Sequence, residues 1–155
     1  MASLTPRFSA DRAVREYTEQ HYLLGAAAYR ERAADKGAGN RIVDWQRVME
    51  QSAMRFGEMR VATNGEQHVF EVQVYLADLD PNATRVELYA DGIDGTGPVR
   101  QQMERAEQLA GAAGGYSYRT QVASTRPAND YTARVIPHFD GVAVPLEAAR
   151  ILWQR

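Results

Sequence analysis

The sequence predicts an α+β protein, a two-helix segment over residues 1–57 followed by an all-β sandwich of about seven strands over residues 58–155. Three observations carry this. Apolar residues recur every three or four positions up to Phe56, the period switches to two beyond Gly57, and turn signals then separate runs of about eight residues.

The first helix is expected from Ser9 to about Asp35. Val14, Tyr17, His21, Leu24 and Ala28 form one stripe, Ser9 is a candidate N-cap, and Asp11 sits where the helix dipole favours negative charge. The run Lys36-Gly37-Ala38-Gly39-Asn40 breaks it, with Asn40 expected to cap a second helix striped by Ile42, Trp45, Met49, Ser52 and Phe56. Two helices enclose no core of their own, so their apolar stripes must lie against something else.

In the sandwich, Met59–Thr63 leads into Asn64-Gly65, a strong hairpin signal. The return strand places Phe70, Val72, Val74 and Leu76 on one face and Val69, Glu71, Gln73 and Tyr75 on the other. Further strands are expected at Arg85–Ala90 (Val86 and Leu88 inward), Val99–Gln108, Tyr116–Val122, Tyr131–Pro137 and Ala149–Gln154. Asp130-Tyr131-Thr132-Ala133-Arg134-Val135 resembles the penultimate strand of immunoglobulin and fibronectin modules, in which a tyrosine near the strand start hydrogen-bonds back to the chain. That resemblance implies an immunoglobulin-like sandwich.

Composition narrows the function. A formal net charge of -2 with no run of like charges offers no footprint for nucleic acid or anionic lipid. No apolar stretch approaches the roughly 18 residues of a membrane span, and Met1–Phe8 lacks the apolar centre of a signal peptide, so a cytoplasmic chain is expected. With no cysteine there is neither disulfide nor thiolate chemistry.

Candidate motifs mostly read as structure. Asp78-Leu79-Asp80-Pro81-Asn82-Ala83-Thr84 begins like a calcium loop, but Ala83 stands where glycine is needed and Tyr89 where a bidentate glutamate should close the cage, so an inter-strand connection is expected. Asn82-Ala83-Thr84 is a glycosylation sequon without a secretory signal. His21, His68 and His138 are scattered, no nucleophile elbow occurs, and Gly92–Gly97 opens no helix. No catalytic, cofactor-binding or metal residue is assigned. Tyr116 and Tyr118 should face the core with Val122, and Trp45 and Trp153 are expected to be packing residues. Tyr75 and Tyr89, on the wet faces of their strands, are the candidates for a sugar-stacking platform, on opposite sheets.

Phe8-Ser9-Ala10-Asp11-Arg12-Ala13-Val14-Arg15-Glu16-Tyr17 resembles the Phe-Ser-x-Asp-Arg segment near the C-terminal end of the catalytic fold in glycogen and α-glucan phosphorylases. Arg85–Tyr89, Tyr131–His138 and Ile151-Leu152-Trp153 resemble the C-terminal extension of the bacterial and archaeal branch of that family. The resemblance implies a parent enzyme that uses pyridoxal phosphate to move a glucosyl unit between an α-1,4-glucan and orthophosphate. It also implies that this chain is a non-catalytic accessory piece docked on the parent's catalytic domains, or alternatively a carbohydrate-binding module contacting glycogen or maltodextrin. The family's cofactor lysine run is absent, and the one lysine against seventeen arginines is Lys36, in a glycine-rich bend. A Schiff-base lysine needs a desolvated pocket, so the cofactor is expected in the parent and not here. Helices separated from their body should leave apolar surface that favours self-association.

Overall fold

The structure, a computed structural model, describes residues 10–93 and 95–155, with the backbone alone for Ala10, Gln20, His21 and Leu24. The proposed cap Ser9 and the side chain of His21 therefore lie outside the described residues. The chain divides into two compact units, one ending at Val43 and one spanning Asp44–Arg155.

In the first unit, helical backbone runs from α1 (Ala10–Tyr17) through a π-helical turn (Thr18–Tyr22) into α2 (Leu23–Ala34). The expected helix is thus present, but the wider π turn shifts its stripe partway along. Val14, Tyr17, Tyr22, Leu23 and Tyr29 are all exposed, and the rings of Tyr17 and Tyr22 meet edge to face at 5.5 Å.

The helix stops where Asp35 turns extended and its carboxylate takes the Gly37 N–H at 2.9 Å. The Ala38 N–H reaches the Asp35 carbonyl at 3.0 Å, and Arg41 pairs with the Asp35 side chain. These bonds hold the Asp35 carboxyl below its ordinary range, the Arg41 bond contributing most. The next helix, α3, consequently begins at Ala38, so Asn40 lies inside it and is not its cap. It ends at Gln51, where the Ser52 hydroxyl donates to the Met49 carbonyl at 2.8 Å. Phe56, expected on that helix, belongs instead to the first strand.

The second unit carries two four-stranded antiparallel sheets among the described residues. Strands β1 (Arg55–Asn64), β2 (Gln67–Tyr75), β3 (Thr84–Ala90), β4 (Val99–Gln102), β5 (Glu104–Gln108), β6 (Gly115–Ala123), β7 (Thr132–Pro137) and β8 (Leu152–Trp153) follow in chain order. The first sheet runs β1-β2-β6-β5 and the second β4-β3-β7-β8. Asn64 pairs with Gln67, so the hairpin turn is Gly65-Glu66, one residue later than expected. Gly65, at φ +60, supplies the positive φ of the first central position, as a type II′ turn requires.

The alternation of β2 is realised in full: Phe70, Val72, Val74 and Leu76 are each 0% exposed. They meet Val86 and Leu88 of β3 and Val135 of β7 in one core, with Trp45 and Met49 of α3 and Tyr118 of β6. Tyr116 and Val122 pack against that core from the same face of β6, as expected. Tyr131 begins the β7 segment as a buried ring 5.4 Å from Phe70, with the Arg126 guanidinium over it.

One expected strand is two. Gln102 pairs with Glu87 in the second sheet while Glu104 pairs with Arg119 in the first. Between them Met103 is 2% exposed and donates its N–H to the Val86 carbonyl at 2.8 Å.

Candidate functional site

The two tyrosines proposed for sugar stacking stand on the outer faces of different sheets, and neither ring is bare. Tyr75 lies beneath the Arg55 guanidinium, 3.7 Å from the ring centroid. The backbones of Gly57 and Gly115 flank it so closely that a Cβ at either would stand 2.8 Å or 3.2 Å from a ring carbon. Tyr75 is therefore clamped into its sheet. Tyr89 meets Trp153 edge to face at 5.3 Å, has the Arg134 guanidinium 4.6 Å from its centroid, and donates its hydroxyl to Asp91 at 2.9 Å. That hydrogen bond raises the pKa of the Tyr89 hydroxyl above its ordinary value, so it ionises less readily.

Trp153 corrects an expectation. It is 40% exposed and is not packed in the core, because its pairing with Arg134 puts it in the outward phase of the sheet. Trp45, by contrast, is buried as expected.

A concave site lies elsewhere in the second unit. Three segments form it: Trp45 and Val48 from the C-terminal half of α3, Leu79–Ala83 of the β2–β3 connection, and His138–Asp140 after β7. The cleft holds about 420 Å³. Local sequence explains its walls. Asp80 accepts the Asn82 N–H at 2.9 Å and so caps the short 3-10 turn Pro81–Ala83. The Ala83 carbonyl in turn accepts the His138 N–H at 2.8 Å, tying the two connections together.

The floor is aromatic, with the rings of Trp45 and Phe139 5.3 Å apart and tilted by 46°. The indole N–H of Trp45 is buried and has no hydrogen-bond partner among the described residues. His138 Nε2 accepts from Arg85 Nη2 at 3.1 Å, and Asp140, fully exposed, lies 3.8 Å from the same nitrogen. A second cleft of about 490 Å³ shares Asn82 and His138 with the first and extends towards Arg105 and Tyr118. Burial pushes the pKa of the Tyr118 hydroxyl up, partly offset by Arg105.

The remaining sequence candidates are placed plainly. His68 is buried, with Nδ1 accepting from the Thr63 hydroxyl at 2.8 Å and Nε2 donating to the Arg126 carbonyl at 3.0 Å, so it is a satisfied core histidine. Among the described residues no group of three or more His, Asp or Glu side chains is arranged to hold a metal ion. Lys36 is exposed in the turn between α2 and α3, which offers none of the enclosure a Schiff base requires, so this chain does not fit pyridoxal phosphate. No helix among the described residues is long and apolar enough to cross a membrane. Sequence reading missed the cleft, since Trp45, Asn82 and Phe139 are distant in the chain and only the fold brings them together.

Comparison with known proteins returns one family, described as the glycogen phosphorylase C-terminal domain, whose model matches residues 45–155. The match begins beside the start of the second compact unit at Asp44. No curated protein matches the chain.

Proposed function

The chain belongs to the glycogen phosphorylase C-terminal domain family, and from that premise we propose that it is a non-catalytic accessory domain of a cytoplasmic, pyridoxal-phosphate-dependent α-glucan phosphorylase. Its helices dock on the parent's catalytic body, and the catalysis resides there. The observation that carries this reading is the exposed apolar surface of the first unit: Val14 at 65%, Tyr22 at 66% and Tyr29 at 72% exposure, on helices whose stripes call for a partner. The division of strands supports an immunoglobulin-like classification, because β1, β2, β6 and β5 stand in the order A-B-E-D and β3, β7 and β8 in the order C-F-G.

The test is to mix the 155-residue chain with an α-glucan phosphorylase catalytic region truncated before its own copy of this segment. A complex in sedimentation that is lost in Val14→Asp and Leu23→Asp supports docking, and absence of any complex overturns it. Glucose 1-phosphate formed by the chain alone, supplied with pyridoxal phosphate, orthophosphate and maltoheptaose, would overturn the non-catalytic assignment.

A second reading, that the sandwich also holds α-glucan, is favoured by the presence of a concave, aromatic-floored cleft ringed by hydrogen-bonding side chains.

A further inference from the structure

We propose that the second cleft, where the chain crosses between the sheets at Met103, binds a small dicarboxylate. Its volume of about 490 Å³ falls in the range of roughly 300–1,000 Å³ that small-molecule sites occupy. Two guanidiniums line it, Arg85 of β3 in the second sheet and Arg105 of β5 in the first. Both residues are exposed, and among the described residues neither pairs with a carboxylate.

The strand register explains why these charges stay uncompensated. Arg105 stands opposite Tyr118, on the inward phase of β5, with its guanidinium 5.5 Å from the Tyr116 ring centroid. Glu104, the one carboxylate in the lining, stands opposite Arg119 on the other face of the same strand. Arg85 donates to Nε2 of His138 at 3.1 Å, so the imidazole lone pair is already occupied while the guanidinium keeps its charge. Asn82 and Gln102 add side-chain amides. The lining therefore combines fixed positive charge with an excess of donors, which an anion answers and a neutral or cationic ligand does not.

The two cations rise from different sheets, so the cleft presents two separate forks. Each fork matches one carboxylate through paired N–H donors. A phosphate gathers its charge on one group, and a monocarboxylate has only one to offer, so either leaves a guanidinium unanswered. A dicarboxylate answers both.

Titration of the ¹⁵N-labelled 155-residue chain with succinate is expected to shift the ¹H–¹⁵N amide signals of Gln102, Met103 and Glu104. Acetate and inorganic phosphate, each satisfying one fork, are expected to bind about tenfold more weakly or worse. Arg85→Gln and Arg105→Gln, both at exposed positions, should each weaken succinate about tenfold or more, the loss of one charge-assisted contact, with the rest of the spectrum retained. Arg100→Gln removes an exposed arginine outside the cleft and should leave the affinity unchanged. Absence of any shift, acetate or phosphate binding as tightly as succinate, unchanged affinity in both cleft variants, or an equal loss in Arg100→Gln overturns the proposal.

Discussion

Arg134 grips a single oxygen of Glu87 twice, through Nε at 3.1 Å and Nη2 at 2.7 Å, across the β3–β7 pairing. The two side chains retain only 12% and 17% of their exposure. Tyr89 and Trp153 both lie beside the guanidinium. Arg134→Ala would strand a carboxylate with little water around it and is expected to cost about 2–4 kcal/mol. Glu87→Gln keeps an acceptor and should cost about 1 kcal/mol. Urea denaturation monitored by circular dichroism measures both, and equal costs would mean that charge contributes nothing to the pair.

Gly114 and Ala77 make a paired backbone prediction. Gly114 has φ +68, and a Cβ there would stand 2.1 Å from the Ala77 carbonyl oxygen, while its own carbonyl accepts the Leu76 N–H at 2.8 Å. Gly114→Ala should therefore lose about 2 kcal/mol or more. Ala77 holds φ 54 without being glycine. Ala77→Gly should be neutral or gain up to about 1 kcal/mol. A destabilising Ala77→Gly would show that unfolded-chain entropy outweighs the left-handed strain.

Alkaline pH should reveal Tyr118. Burial raises its pKa above the ordinary 10.0, so once the pH passes that value the unfolded chain loses a proton that the folded chain keeps. The unfolded state then binds fewer protons, and stability falls as pH rises further. Tyr118→Phe removes this loss. Denaturation midpoints compared at neutral pH and above 10 should converge between wild type and variant at the lower pH and favour the variant at the higher. Parallel curves would exclude Tyr118 as a source of alkaline lability.

The exposed residues Val14, Tyr17, Tyr22, Leu23 and Tyr29 predict concentration-dependent self-association of the isolated chain. Sedimentation velocity should show it, and Tyr22→Glu with Leu23→Glu should reduce it. A strict monomer at high concentration would mean that this surface is not sticky enough to act as a dock.

What the sequence disclosed follows from range. The β2 alternation was legible because the period-two rule is local and Phe70, Val72, Val74 and Leu76 form an uninterrupted apolar row on the inward side, beyond the one polar inward residue His68. The helix break near Gly37 was legible for the same reason, although its cap was not. Asp35 closes the turn that precedes the helix by accepting the Gly37 N–H, and recognising it depends on the Asp35–Arg41 pair that only the folded turn brings together. Phe56 fell on the helical stripe by coincidence of spacing. Trp153 was misread because its phase is imposed by Arg134 on another strand, and nothing in a two-residue strand encodes a face. The cleft was invisible for the same reason. Asp80 and Asn82 were noticed as parts of a failed calcium loop and a glycosylation sequon, and the residues that turn them into one wall of a cleft, Trp45 and Phe139, lie far away in the chain.

The crossing at Met103 has a consequence for how the sandwich comes apart. The chain leaves one sheet and enters the other within a single buried residue, anchored by its N–H on Val86. Peeling either sheet away drags this short bridge out of the shared interior, so neither layer can loosen while its neighbour stays intact. The sandwich should consequently behave as one cooperative block, with the Met103 amide exchanging its hydrogen only when the whole block opens.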